Sequence, residues 1–170
     1  DQIELIGCAH EPLVDPSPAQ IVGCEGFIGE FGPVSAKTAD AMADAGIRIV
    51  SSMSIGINHV DASALAQHGI ITTNCPGYCS FDVAQHAAGL MLDLMRSITF
   101  SNREVLAGAW EPTGGYTAHR TQGRTIGLVF FGNIARAMAS IVQALGMNVV
   151  VWAPTKTRED LAQAGCTKAE

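Results

Sequence analysis

The sequence predicts an α/β protein with parallel sheets, organised as one unit over residues 1–98 and the first part of a second over residues 99–170. Three observations predict it. Short β-branched runs alternate with capped helical stretches, and that alternation favours parallel pairing because parallel neighbours need a crossover connection. The pattern breaks in a Gly- and Pro-bearing stretch at 108–123 and restarts at Thr125. A chain of 170 residues is long enough for one domain and part of another.

Taken in order, residues 3–7 read as a short strand, and Pro12, Pro16 and Pro18 exclude regular helix from the loop after it. Residues 21–23 are the second strand candidate. Ser35 caps a helix over 36–45 that Gly46 ends, and 47–50 supply the third strand. The irregular run Ser54, Ile55, Gly56, Ile57, Asn58, His59 leads into a short helix over 62–67, closed by Gly69 and followed by strand 70–73. The strongest helical pattern spans 80–98 with Ser80 as cap. Its apolar rows leave only Asp82, His86, Gly89, Asp93 and Arg96 as a polar stripe, so most of its circumference is expected to be buried, between domains or in a homodimer.

A helix over 102–107 and the 108–123 loop, with turn signals at Pro112 and Gly114, precede the second unit. There the order is strand 125–130, a turn at Gly132, helix 134–145 stopped by Gly146, strand 148–152, and a helix from Thr157 to Gly165. The chain stops where the next parallel strand is expected. That stop and the start at Asp1 are expected of a piece of a longer chain.

Composition narrows the classes. Apolar residues make up 48% and charged ones 15%, which argues for a packed core and against disorder. A formal charge of −6 with scattered Lys and Arg excludes a basic surface for nucleic acid. The apolar stretch around 87–95 carries Asp93 and is too short to span a bilayer, and no signal-peptide pattern is present, so a cytoplasmic protein with no membrane partner is expected. Five irregularly spaced cysteines suggest neither a disulfide framework nor a metal site, and read as small buried or half-buried residues.

The turn after strand 125–130 is where a Gly-rich dinucleotide fingerprint would put backbone amides against a pyrophosphate. Phe130 stands at the first glycine place, Gly132 at the second and Ala135 at the third. A lone glycine between strand and helix also occurs in any βαβ unit. After Trp152 the acidic residue that would hold the ribose hydroxyls is replaced by Ala153, which removes repulsion against a 2′-phosphate. Thr155, Lys156 and Arg158 then either favour NADP over NAD or form a solvated loop cluster.

Several motifs in register say more than any one. Residues 54–61 (SIGINHVD), Gly69-Ile70, Asn74-Cys75-Pro76-Gly77, Val83-Ala84-Gln85-His86, Gly108-Ala109-Trp110 and Gly123-Arg124-Thr125-Ile126-Gly127 resemble the D-isomer-specific 2-hydroxyacid dehydrogenases, over about residues 20–155. The resemblance implies a flavodoxin-like substrate domain followed by the first part of a Rossmann NAD(P)-binding domain. It implies that Ser54, Ile55, Gly56, Ile57 and Asn58 hold the carboxylate of a 2-oxo or 2-hydroxy acid. It places Ser80 and Val83 by the nicotinamide, Gly132, Asn133 and Ile134 at the pyrophosphate, and Ala153, Thr155 and Lys156 by the ribose. Gln85 departs from the family's usual Glu.

The family's proton-handling histidine, the carboxylate that orients it and the substrate-clamping arginine lie downstream of this sequence. No catalytic residue is therefore expected within the chain, and residues 1–170 alone are expected to be inactive. His10, His59, His68, His86 and His119 read as structural or exposed, with His86 the first to test as a base. A second reading is a dinucleotide-sensing binding protein on the same scaffold, as in the carboxy-terminal binding proteins of transcription, and Phe130 gives it weight. A third is an inactive product in which strand 148–152 is a bare edge.

Overall fold

Side-chain caps start three helices of this protein, after Ser35, Asp61 and Thr157, and its computed structural model describes residues 3–7, 14–30, 32–110 and 117–170. The readings of Pro12, Gly114, Cys8 and His10 lie outside the described residues. Two compact units divide at Tyr78/Cys79, ahead of the boundary expected at residue 98.

In the first unit, α1 (Pro18–Ile21) occupies part of the segment read as strand 21–23. Pro18 fits there because the first helical turn needs no amide from it. The Gln20 side chain accepts from the Ser17 amide at 2.7 Å. The first ladder strand is instead β1 (Gly26–Gly29), which the flanking glycines concealed. Helix α2 (Ala36–Ala45) starts where Ser35 Oγ accepts from the Thr38 amide, and ends at Gly46 with φ 87°. Strand β2 (Ile49–Ser52) begins two positions later than expected, because Ile47 is buried in the core and the ladder opens at Ile49.

Asp61 Oδ1 accepts from the Ala64 amide at 2.9 Å and starts α3 (Ala62–Gln67), which leads to β3 (Ile71–Thr73). The sheet is parallel in the order β1-β2-β3, with Gly26 opposite Ile49 and Ile49 opposite Ile71. Its core is Ile21, Val34, Met42, Val50, Leu65 and Ile70. Residues 3–7 form no strand, and Ile3 is 89% exposed.

The second unit opens with α4 (Ser80–Arg96), capped by Cys79 rather than Ser80. Ser97 takes the left-handed conformation (φ 54°) and separates it from α5 (Ile98–Leu106), so the pattern read as 80–98 is one helix and the start of another. Then come β4 (Thr125–Val129), α6 (Asn133–Ala144), β5 (Asn148–Trp152), α7 (Arg158–Gln163) and β6 (Thr167–Lys168). Thr157 Oγ1 accepts from the Asp160 amide, and the Asp160 carboxylate accepts from the Thr157 amide, both at 3.0 Å. The sheet is parallel in the order β4-β5-β6, so β5 is its central strand, and the bare edge at 148–152 that the third reading entails is not present.

Helix α4 lies on α6 through Ala84 and Ala88, whose small side chains allow close approach. Its burial within the chain is confined to that side: Phe81, Leu90 and Leu94 remain exposed. The core combines these alanines with Phe131, Met138, Val142, Val151 and Leu161. Cys166 is buried among them, and that burial raises its thiol pKa, whereas Cys75 is exposed.

Candidate functional site

The bend after β2 is built by its carbonyls. The Ser54 carbonyl accepts from the Cys75 amide at 3.1 Å, Ile55 from Asn74 Nδ2 at 2.7 Å, Gly56 from Ser54 Oγ at 2.7 Å, and Ile57 from the Val60 amide at 2.9 Å. In a planar trans peptide the next residue's N–H points opposite to each carbonyl. Each of the amides of Ile55, Gly56, Ile57 and Asn58 therefore points away from a carbonyl that is itself bonded. Among the described residues these four amides meet no protein acceptor. An added Cβ at Gly56 would meet nothing within 4 Å. Successive free amides with no side chain in the way suit a carboxylate. The structure thus brings together all five residues that the sequence assigned to the substrate, as one bend.

The turn between β4 and α6 is the second cluster of donors. Phe130 has φ 67°, the left-handed region that glycine enters freely and other residues enter at a cost of roughly 1–2 kcal/mol. Its amide donates to the Trp152 carbonyl at 2.7 Å, and its ring meets Trp152 edge-on with centroids 5.4 Å apart. The phenylalanine is accommodated by leaning out over the sheet end. Phe131 turns inward, with the Arg136 guanidinium 5.1 Å from its ring centre.

Gly132 caps α6 and would meet nothing within 4 Å if it carried a Cβ. The first helical amides, at Asn133 and Ile134, have no intrahelical acceptor and lie at the positive end of the helix dipole. Open space before such amides fits a diphosphate.

Ala153 is buried at the end of β5. A cavity of about 300 Å³ lies against it, bordered by Trp152, Pro154, Arg158, Lys168 and Glu170. Arg158 pairs with Glu170, and Lys168 Nζ donates to the Lys156 carbonyl at 2.6 Å. The exposed Thr155 sits in the turn between them. Sequence reading missed Lys168 and Glu170; the only signal was their place on and just after the strand expected at the chain's end.

Ser80 is the first residue of α4, and its hydroxyl is buried with no hydrogen-bond partner among the described residues. A buried hydroxyl without a partner is uncommon and fits a group that a ligand completes. Val83, one turn on, is partly exposed. Ser80, Val83, Gly132, Asn133, Ile134, Ala153, Thr155 and Lys156 all belong to the second unit, and Ser54 to Asn58 to the first.

Of the described histidines, His68 has a carboxylate partner, Asp40 Oδ1 at 2.8 Å, which ties α3 to α2. Sequence spacing hid that pair, 28 residues apart. His59 Nε2 lies 3.4 Å from Ser52 Oγ, His119 Nδ1 lies 3.4 Å from Arg124, and His86 is exposed on α4.

Residues 88–170 match the family model of the D-isomer specific 2-hydroxyacid dehydrogenase NAD binding domain. The chain is 31% identical over 119 residues to D-3-phosphoglycerate dehydrogenase of Archaeoglobus fulgidus, covering 70% of this chain and 22% of that protein. It is 33% identical over 125 residues to hydroxypyruvate reductase of Thermotoga maritima, covering 73% of this chain and 40% of that protein. The chain thus spans well under half the length of these relatives. Among solved structures, D-lactate dehydrogenase from Aquifex aeolicus, complexed with NAD and lactic acid, superposes with a TM-score of 0.81 at 21% identity, over 91% of this chain and 46% of that one. That likeness shows the fold, a Rossmann-type sheet included. With the motifs in register, parallel sheets in both units and matches of this kind, the chain belongs to the D-isomer-specific 2-hydroxyacid dehydrogenase family.

Proposed function

We propose that the protein moves a hydride between a nicotinamide dinucleotide and a 2-hydroxy or 2-oxo acid. The observation that carries this reading is the run of four consecutive amides, at Ile55, Gly56, Ile57 and Asn58, that meet no protein acceptor among the described residues, in a chain that also offers a helix N-terminus at Gly132. The dinucleotide supplies the hydride chemistry. The bend holds the substrate carboxylate, with Ser54 shaping it. Gly132, Asn133 and Ile134 hold the diphosphate, Ser80 and Val83 border the nicotinamide, and Ala153, Thr155 and Lys156 border the adenosine ribose. We assign no catalytic residue within residues 1–170, and assign proton handling to groups outside them.

The cofactor reading leans to NADP. Ala153 puts no carboxylate at the end of β5 itself, and Lys168 and Arg158, the latter paired with Glu170, border the adjoining cavity. The full-length protein is expected to oxidise NADPH in the presence of glyoxylate, pyruvate or hydroxypyruvate, with a lower Kd for NADPH than for NADH. The 170-residue chain alone is expected to show no turnover, and turnover by it contradicts this assignment. If the full-length protein binds dinucleotide yet reduces none of the three acids, the dinucleotide-sensing alternative takes over, the reading that Phe130 in the glycine turn favours.

The exposed Leu90 and Leu94 on α4 support a homodimer contact through residues 80–98. No helix among the described residues is long and apolar enough to cross a membrane.

A further inference from the structure

Beneath the substrate bend lies a buried row of hydroxyls whose proton directions can be deduced. Ser52 and Ser54 are almost wholly buried, at 2% and 7% exposure. Ser54 Oγ lies 2.7 Å from the Gly56 carbonyl, which can only accept, so the single Ser54 hydroxyl proton sits on that bond. Ser54 Oγ is also 2.6 Å from Ser52 Oγ, and with its proton already committed it must accept there. The Ser52 proton is thereby committed as well. Ser52 Oγ accepts from the Ser54 amide at 3.3 Å and faces His59 Nε2 at 3.4 Å. With no proton left on Ser52, the long contact to His59 is a hydrogen bond only if Nε2 carries the hydrogen.

We propose that His59, Ser52 and Ser54 form a one-way hydrogen-bond relay, His59 Nε2–H to Ser52 to Ser54 to the Gly56 carbonyl, that aims the Ile57 amide at the substrate carboxylate. This rests on the dehydrogenase reading given above. The relay orients rather than reacts: His59 and Ser52 are positioning residues. Their effect reaches the substrate through one peptide plane, because drawing the Gly56 carbonyl inward turns the Ile57 N–H outward. A broken relay frees that plane to rotate and weakens the hold on the carboxylate, while leaving the hydride-transfer groups untouched. The expected signature is a change in KM, not in kcat.

Two measurements on the full-length protein test it. In imidazole ¹⁵N–¹H correlation spectra of the wild type, His59 is expected with Nε2 protonated; a bare Nε2 with the hydrogen on Nδ1 overturns the relay. In steady-state assays with hydroxypyruvate and glyoxylate, Ser52→Ala and His59→Leu are each expected to raise KM about tenfold, the size of one lost hydrogen bond, with kcat within about twofold. His59→Gln, which offers an N–H in place of Nε2–H, is expected to restore most of the KM. An unchanged KM in a folded Ser52→Ala protein, or equal losses in His59→Gln and His59→Leu, overturns the proposal. Should the wild type reduce none of the acids, the dehydrogenase reading fails by itself, and the imidazole spectrum alone decides the relay.

Discussion

Phe130 shows how one residue can fit a turn and still distort it. Its left-handed backbone costs roughly 1–2 kcal/mol, and its edge-on contact with Trp152 returns roughly 0.5–1.5 kcal/mol. Phe130→Gly removes both, so the melting temperature is expected to stay within about 5 °C of the wild type. Dinucleotide Kd is expected to fall, because a glycine lets the diphosphate approach the backbone. Calorimetric titration of the two proteins checks this, and an unchanged or weaker Kd shows that the side chain does not obstruct the turn.

Gly146 is the opposite case: with φ 74° and the Gln122 carboxamide against it, Gly146→Ala is expected to destabilise by roughly 1–2 kcal/mol in denaturant titration. The place of Phe130 in the fingerprint was legible in the sequence because the motif is local. The Ser52–His59 contact was not, and neither were Arg158–Glu170 and His68–Asp40, because spacing says nothing about which side chains a fold brings together.

Helix starts were the most legible elements, since a cap is written within four residues. Ser35 caps where the sequence put it, Thr157 proves to be the cap of the helix it was read as opening, and Ser80 lies one residue inside its helix. Asp61, capping α3, is expected to lose about 1 kcal/mol of stability on change to Ala, measured by urea denaturation. Helix ends and weak strands were less legible. The apolar pattern runs unbroken through the α4–α5 joint, because what interrupts it is a backbone conformation at Ser97 and a carboxylate clasp. Asp93 Oδ2 accepts from the Thr99 hydroxyl at 2.7 Å and Oδ1 from its amide at 2.6 Å.

Chiefly the hydroxyl, then the amide, hold the Asp93 carboxyl below its ordinary value of 3.8. A folded pKa below the unfolded one means the clasp contributes fully above the unfolded value and is lost as pH falls through the folded one. Hydrogen exchange at the Thr99 amide is therefore expected to gain protection from Asp93 at neutral pH and to lose it only in acid below 3.8. Loss already complete at a higher pH contradicts the shift. Strand β1 escaped notice because Gly26 and Gly29 bracket just two apolar residues, Phe27 and Ile28.

For the molecule as a whole, alternation of strand and helix was enough to predict parallel α/β units, and both sheets are parallel. The compact units divide before α4, whereas the sequence placed the division at its end, because composition does not reveal which sheet a helix packs with. Ala84 and Ala88 take α4 to α6. The face left over, with Leu94 81% exposed, is expected to pair between copies. Light scattering is expected to give a dimer for the full-length protein and a monomer for Leu94→Asp; a wild-type monomer at high concentration removes the contact.

Trp152 has a practical consequence. The sequence holds two tryptophans. Trp110 is 86% exposed, whereas Trp152 stands against Phe130 and borders the cavity beside Ala153. With Trp110 changed to Phe, residues 1–170 keep one tryptophan, Trp152, at the edge of the proposed adenosine site. Its emission should report nucleotide occupancy without any label, and so allow cofactor choice to be read even from a variant that turns over nothing.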